Sequence, residues 1–317
     1  MAMNRIQFQH GMSLPEFLHR FGTEQQCAEA VMAERWPEGF RCPGCDGAAH
    51  CVITVNLRPL FQCNACRRQT SITAGTMFAG TKLPLTTWFL AIYFISQAKT
   101  GLSALALKRH LGVSYPTAWL INQKIMCAMA EREATHTLGN VVQLDDAYLG
   151  GELSGGTAGR GSENKVPFVA AVSLDTQGHP AYVKLTPVAG FTREAIGQWS
   201  ATHLQPGTVV LSDGLHCFVG VVDSGCDHLP IVVGRRKPRD VPEFAWINTI
   251  LGNLKTTLAG AHHAFKYGKY AEHYLGAFAY RFNRRFDLKA LVTRLVVAVT
   301  HCPPRCERAI RMAEVHC

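Results

Sequence analysis

The chain has 317 residues, of which 47% are hydrophobic and 17% charged; this composition excludes an intrinsically disordered protein and allows two or three domains. The net charge of +9 points to an anionic partner, most commonly nucleic acid. The most membrane-like stretch, 88–96, falls short of the roughly 20 residues that span a bilayer, and no secretory signal is evident. We therefore expect an intracellular protein with no membrane partner, in which twelve cysteines favour metal sites over disulfides.

Residues 1–35 form the first predicted segment, which is helical. Apolar residues recur at helical intervals over 12–35, Pro15 stands near one helix start, and Thr23 is a plausible N-cap for a second helix. A cysteine-rich module follows at 36–72.

Two cysteine pairs predict a structural zinc site in this module. Seventeen residues separate the C-x2-C pair in RCPGC from the pair in QCNAC, a spacing typical of four-thiolate zinc sites. Four thiolates close the tetrahedron and leave no open position for catalysis. The chain between the pairs alternates like a small hairpin. The predicted zinc ligands are Cys42, Cys45, Cys63 and Cys66.

Residues 73–137 are predicted to be helical and to contain a helix-turn-helix. Within 101–125 the turn falls at 112–114, with Ser114 as N-cap and Pro116 early in the second helix. The second helix of such a motif can lie in a DNA groove. Two packed helices without a DNA role remain the alternative.

The residue pattern changes at about residue 138, and we predict that residues 138–290 form one α/β domain. Short β-prone runs begin at 140, 166, 181 and 207, a polar loop is predicted at 153–165, and helical spacing returns from 242. Residues 291–317 are interpreted as a C-terminal tail.

Polar residues follow two of the predicted strands. Asp145 and Asp146 end the run VVQLDD, and Asp213 ends GTVVLSD. Such residues can cap turns, form ion pairs or bind a divalent metal ion. In the helix predicted at 244–255, Asn248 and Lys255 share one face because seven residues make almost two turns.

In order along the chain, RCPGC…QCNAC, LDDAYLGG, GRGSENKVPFVAAVS, LSDG, WINTILGNLK and YLGAFAYRFNRR resemble the IS1595 family of ISXO2-like transposases, over most of residues 20–287. The resemblance implies an RNase H-like catalytic domain, a mixed sheet flanked by helices, after the zinc ribbon and the helical segment. It also implies cleavage of insertion-sequence ends and joining to target DNA. The implied partners are terminal inverted repeats and target DNA, bound by a homodimer or larger synaptic assembly in the prokaryotic cytoplasm, associated with the nucleoid.

The family's site, matched position by position, implies Asp145, Asp213, Asn248 and Lys255. The two aspartates would bind Mg²⁺ or Mn²⁺, Asn248 would complete the site, and Lys255 would contact phosphate. Asp146 is expected outside the metal ligands, because adjacent strand residues point to opposite faces.

The sequence departs from the family pattern at two places, and at each a negatively charged side chain is missing. Asn248 offers a neutral oxygen, and Gly276 and Ala277 stand where the family tends to show an acid. Glu243 is poorly phased to replace Asn248.

Basic residues before the last predicted helix of the site are candidates for DNA contact, although a solvated loop is the alternative. These are Arg235, Arg236, Lys237 and Arg239, to which Lys255 is added.

Three functions remain at this stage. The first is an active transposase. The second is a catalytically impaired copy that still binds DNA, which the two departures favour. The third is a general RNase H-like nuclease acting on RNA hybrids, which leaves the zinc ribbon unexplained.

Overall fold

The computed structural model describes residues 9–55, 58–151, 162, 164–237, 240–262 and 265–312. The chain forms two units, one from residues 1–128 and 284–310, the other from residues 129–283 and 311–317. No helix in these described ranges is both long and apolar enough to cross a membrane.

Several helices of the first unit begin at a capping side chain. The Ser13 hydroxyl accepts from the Glu16 amide at the start of α1, and Thr23 forms a capping box with Gln26 at the start of α2. The Ser114 hydroxyl lies 3.4 Å from the Thr117 amide at the start of α5. The helices of this unit are α1 (Leu14–Phe21), α2 (Glu24–Arg35), α3 (Leu85–Gln97), α4 (Ala104–Leu111), the first part of α5 (Tyr115–Ala134), α9 (Leu291–His301) and most of α10 (Glu307–Met312).

A three-stranded antiparallel sheet completes the first unit. It places the predicted hairpin between the two cysteine pairs, since the first strand follows Cys45 and the second ends at Cys63. The strands are β1 (His50–Val55), β2 (Arg58–Cys63) and β3 (Gln69–Ser71).

The second unit is built on a five-stranded mixed sheet in the order β6-β5-β4-β7-β8. The pairs β4–β5 and β5–β6 are antiparallel, and β4–β7 and β7–β8 are parallel. Its strands are β4 (Val141–Leu149), β5 (Val166–Leu174), β6 (Pro180–Pro187), β7 (Val209–Ser212) and β8 (Asp227–Pro230).

Helices cover both faces of this sheet, each over its own apolar core. The alternate residues Phe168, Ala170 and Val172 of β5 face α7 and α8, while Val169 and Ala171 face α6 and the 3₁₀ helix at 216–224. The helices are α6 (Arg193–His203), α7 (Ala245–Thr257) and α8 (Tyr267–Asn283), with short 3₁₀ or π turns at His216–Ser224, Pro242–Phe244 and Leu258–His262. The α/β architecture predicted for this domain, a mixed sheet flanked by helices, is confirmed.

Asn283, in the motif RFNRR, ties α8 to edge strand β6. Its side-chain oxygen accepts from the Val183 amide at 2.7 Å, and its side-chain nitrogen donates to the Val183 carbonyl and to Glu133. The amide therefore satisfies backbone groups of a strand that has no further neighbour in the sheet.

Two features differ from the sequence-based expectation, and a third prediction is not tested. Strand β8 was not predicted, because it has only four residues, the first two of which are polar and the last of which is Pro230. The expected tail instead begins with α9, whose residues Leu291, Leu295 and Val299 are buried and whose Val299 carbonyl accepts from the Met77 amide. The predicted loop 153–165 lies outside the described residues except at 162, 164 and 165.

Candidate metal centres

Four cysteine sulfurs converge at the base of the three-stranded sheet. Cys42, Cys45, Cys63 and Cys66 offer sulfur atoms that all lie within 4.8 Å of one another. The Cys42–Cys66 and Cys45–Cys63 sulfurs are each 3.5 Å apart. A set of four thiolates at this spacing fits tetrahedral zinc, as predicted.

The backbone around these cysteines favours thiolates. Asp46 and Arg67, which follow the second cysteine of each pair, adopt left-handed φ values of 58° and 61°. The tight turns direct backbone amides at sulfur: the Gly44 amide lies 3.4 Å from the Cys42 sulfur, and the amide of Cys66 makes the largest of several contributions that lower the pKa of the Cys63 thiol to about 6. The neighbouring thiols in turn raise the pKa of Cys45, as expected of four sulfurs that share one site. Metal binding requires the deprotonated form, so the loops prepare the ligands.

Three carboxylates form a second group at one end of the mixed sheet. Asp145, Asp146 and Asp213 each offer an oxygen within 4.8 Å of the others, and all three are half-buried. Ionised carboxylates at this separation repel by about 3 kcal/mol per pair at an effective dielectric constant near 20. Hard carboxylate oxygens are what Mg²⁺ and Mn²⁺ prefer, so the donor set fits a divalent cation.

Strand geometry brings the predicted pair together. β4 and β7 are parallel neighbours whose pairing ends at Leu144 and Ser212, immediately before Asp145 and Asp213. The two carboxylates thus leave adjacent strands at the same level.

Asp146 differs from the expectation. It was placed outside the group because adjacent strand residues point to opposite faces, and its cross-strand partner Val169 does lie on the face opposite that of Ala170, the partner of Asp145. However, β7 ends at Ser212, so among the described residues no strand continues the pairing on this edge of β4 from position 145 onward. Side chains from either face can reach this open edge, and the sequence gives no signal of where pairing stops.

Asp213 also begins a turn, as the alternative interpretation held. Its Oδ1 accepts from the Leu215 amide at 3.0 Å, and Gly214 adopts a φ of +84°. The preceding Ser212 hydroxyl, fully buried, lies 2.8 Å from Nε2 of His228 and accepts from the Gly214 amide. The turn fixes one oxygen of Asp213, and sequence reasoning missed His228 as a support for it.

Asn248 and Lys255 lie on the exposed side of α7. The helix buries Ile247, Ile250 and Leu254 instead. The Ile247 amide donates to the side-chain oxygen of Gln143, on the same strand and face as Asp145. The structure thus ties the start of α7 to the acidic strand and keeps both predicted polar residues accessible.

The predicted basic loop is exposed at Arg235, Arg236 and Lys237. Arg236 donates to carbonyls of its own loop, those of Val232 and Val233, whereas Arg239 lies outside the described residues.

Gly276 and Ala277 are buried in α8. A Cβ at Gly276 would lie 2.5 Å from the Cβ of Ala130, closer than side-chain atoms approach one another. An acid at this position has no room in this structure.

The first unit carries an unusual charge distribution that sequence reasoning also missed. Residues 47–130 contain eight lysines and arginines and no aspartate or glutamate. Six of these cations are exposed: Arg67, Arg68, Lys82, Lys99, Lys108 and Arg109.

Comparison with known proteins covers both units. Residues 137–283 match the model of the ISXO2-like transposase domain, and residues 22–69 match the transposase zinc-ribbon domain of the IS1595 family. The chain is 28% identical over 216 residues to an uncharacterized protein in transposable element ISH50 of Halobacterium salinarum, covering 62% of this chain and 70% of that one.

Two solved structures are also similar. One is the Mos1 strand transfer complex (12% identity, TM-score 0.27, 69% of this chain and 79% of that chain). The other is a pre-cleavage Mos1 transpososome (11% identity, TM-score 0.24, 66% and 78%). The two family models match in order along the chain, which therefore carries a transposase zinc-ribbon domain of the IS1595 family followed by an ISXO2-like transposase domain.

Proposed function

We propose that the chain cleaves DNA at the ends of an insertion sequence and joins those ends to target DNA, using Mg²⁺ or Mn²⁺ held by Asp145 and Asp213. The observation that carries the proposal is the convergence of these two carboxylates, within 4.8 Å, at the point where the pairing of β4 with β7 ends, inside a transposase-family domain. A pair of divalent ions in such a site lowers the barrier to in-line phosphoryl transfer by stabilising charge on the attacking and leaving oxygens.

The chemistry consists of two displacements at phosphorus. In the first, water attacks the phosphodiester at the transposon end, the P–O3′ bond breaks, and a 3′-hydroxyl and a 5′-phosphate are released. In the second, that 3′-oxygen bonds to a phosphorus of target DNA and a target 3′-hydroxyl leaves. Each step exchanges one P–O bond for another, so no energy-supplying cofactor is needed.

The protein's own residues position the DNA for these steps. The turn at Leu215 fixes one Asp213 oxygen and so orients the carboxylate. Asn248 offers a neutral amide beside the acidic strand. Lys255 follows it by two turns of the same exposed helix face, about 10 Å along the axis, where its ammonium group can contact a phosphate flanking the cleaved bond.

The first unit is proposed to bind the terminal inverted repeats. Exposed cations across an acid-free segment favour a polyanion, and α4, the turn and α5 have the order of a helix-turn-helix. Arg235 and Lys237 add positive charge to the loop that leads toward α7. Because two ends must be joined, we expect a dimer or a larger assembly on DNA.

A cleavage assay tests the proposal. The purified protein is incubated with a supercoiled plasmid that carries both terminal repeats, with Mg²⁺, Mn²⁺ or EDTA, and cleavage positions are mapped. We expect metal-dependent cuts at the repeat ends that Asp145→Asn and Asp213→Asn each reduce at least 100-fold. The matched control is Asp227→Asn, an exposed aspartate on β8 outside the acidic group. Undiminished cleavage by either site variant contradicts the proposal.

A second function, DNA binding by an inactive copy, is favoured by two observations: Asn248 is neutral, and Gly276 has no space for an acid. It predicts that the parent protein binds terminal-repeat DNA in a gel-shift assay and yields no cuts with either metal. If Asn248→Glu then created cleavage, impairment at that position would be established.

A further inference from the structure

We infer that Asp146 is a third carboxylate ligand of the metal centre and supplies the negative charge that Asn248 lacks. This inference rests on the proposed function, because it concerns the same site.

The first observation in support is the short distance between the three carboxylates. An oxygen of Asp146 lies within 4.8 Å of oxygens from both Asp145 and Asp213, a separation that ligands of one ion, or of two neighbouring ions, can have. Apart from the four thiols, this is the one group of three or more potential ligand side chains that the described residues contain.

The second observation is the position of the three aspartates on strands β4 and β7. Asp146 leaves β4 on the face of Val169, opposite to Asp145, so the two side chains approach the open edge from different sides of the sheet. Asp213 follows the end of β7 at that edge. The three carboxylates can therefore approach one point from both sides of the sheet.

The third observation is that the other candidate positions near the site supply no further acid to the group. Asn248 contributes at most a neutral oxygen. Glu243 is exposed in the 3₁₀ helix before α7 and is not a member of the acidic group. Gly276 packs against Ala130 with no room for a larger side chain. Among the described residues, Asp146 is thus the acid placed to raise the charge of the site from −2 to −3.

Metal binding measured without DNA tests the inference. Mn²⁺ affinity is determined by titration calorimetry on the full-length protein, after the zinc content has been verified, for the parent, Asp146→Asn, Asp146→Ala and Asp227→Asn. We expect the Kd for Mn²⁺ to rise roughly ten-fold or more in both Asp146 variants. Asp227→Asn removes the same charge from β8 and should leave the Kd unchanged.

Thermal unfolding with and without Mn²⁺ separates ligation from a structural role. A ligand variant should lose most of the metal-induced rise in Tm, whatever its Tm without metal. A purely structural residue would lower both Tm values and preserve the rise, and that result overturns the inference.

The matched variants Asp145→Asn and Asp213→Asn distinguish an error in the role of Asp146 from an error in the proposed metal centre itself. If they lose Mn²⁺ binding while both Asp146 variants keep it, the inference fails and the proposed function stands. If all of them bind Mn²⁺ like the parent, the proposed metal centre itself is wrong.

Discussion

Gly276 illustrates how one residue constrains the catalytic domain. Its Cα hydrogen faces Ala130 of α5, and a Cβ there would lie 2.5 Å from the alanine Cβ and 2.6 Å from its Cα. Overpacking of a buried helix contact costs about 1–3 kcal/mol. The packing of α8 against Ala130 therefore leaves no room for a side chain at position 276.

We predict that Gly276→Ala lowers the free energy of unfolding of the second unit by about 1–3 kcal/mol, because α8 must shift away from Ala130. Gly252→Ala is the matched control: it also lies inside a helix, with no atom within 4 Å of the new Cβ, and should raise stability by about 0.5–1 kcal/mol. Urea unfolding followed by hydrogen exchange in α8 measures both. Equal stability of the two variants contradicts the packing argument.

His203 gives the second unit a dependence on pH. Burial, with a smaller contribution from the Lys184 charge, lowers the pKa of His203 to about 4. Lys184 donates to its Nδ1 at 3.1 Å, and also to the carbonyls of Ala134 and His136. The neutral imidazole is therefore the acceptor that this lysine requires.

We predict that the second unit loses stability as pH falls from about 6.5 to about 4, because the unfolded chain takes up a proton on His203 before the folded chain does. His203→Gln keeps an acceptor without this titration and should flatten that part of the profile. His216→Gln, an exposed histidine of the same unit, should leave the profile as in the parent. Denaturant midpoints across this pH range provide the measurement, and an unchanged slope in His203→Gln would refute the assignment.

At the scale of elements, the zinc ribbon depends on its metal. Its three short strands enclose a small aromatic cluster in which the Trp36 ring lies 4.9 Å from Phe40 and 5.0 Å from Phe61. So little apolar surface cannot hold a fold alone, and structural zinc contributes on the order of 10 kcal/mol in comparable modules.

We predict that Cys63→Ser abolishes zinc binding and removes hydrogen-exchange protection from β1 and β2. Cys51→Ser is the control, since Cys51 is exposed on β1 and is not one of the four converging thiols. Metal content and exchange mass spectrometry test both variants. Retained zinc in Cys63→Ser would show that the four thiolates are not the ligands.

The elements that could be predicted from sequence are those with strong local signals. Thr23 and Ser114 mark helix starts through capping, and β4, β5, β6 and β7 follow from β-prone runs between breakers. β8 is too short and too polar to give such a signal. α9 was mistaken for a tail because the sequence does not show that its apolar face packs against α3.

In the site, too, only the residues with a local sequence signal could be predicted. Asp145 and Asp213 stand out because they follow two apolar runs that proved to be parallel neighbours, although β4 itself continues past Asp145 to Leu149. Asp146 did not, because alternation along a strand says nothing about where a neighbouring strand stops. His228 supports Ser212 across β7 and β8, a contact that requires knowledge of the strand order.

At the scale of the whole molecule, charge is unevenly distributed along the chain. The net charge is +9, yet residues 47–130 hold no acid at all, so their eight basic residues form an uncompensated positive segment of the first unit. Binding that neutralises phosphates releases counterions and depends steeply on salt.

We predict that the affinity for terminal-repeat DNA falls linearly with salt on a log–log plot. Lys108→Gln combined with Arg109→Gln, at the exposed end of α4, should reduce the slope by roughly 2. Lys289→Gln serves as control because that lysine already pairs with Glu16 at 3.2 Å. Fluorescence anisotropy at several salt concentrations measures the slopes, and an identical slope in the double variant excludes α4 from the DNA interface.

The most direct test of the metal centre is anomalous scattering from crystals of the protein grown with Mn²⁺ and terminal-repeat DNA. We expect a manganese peak about 2.1 Å from carboxylate oxygens of Asp145 and Asp213, with Asp146 within reach of the same ion or of a second one. Manganese bound elsewhere, or these carboxylates free of metal while the DNA is held in place, would contradict it.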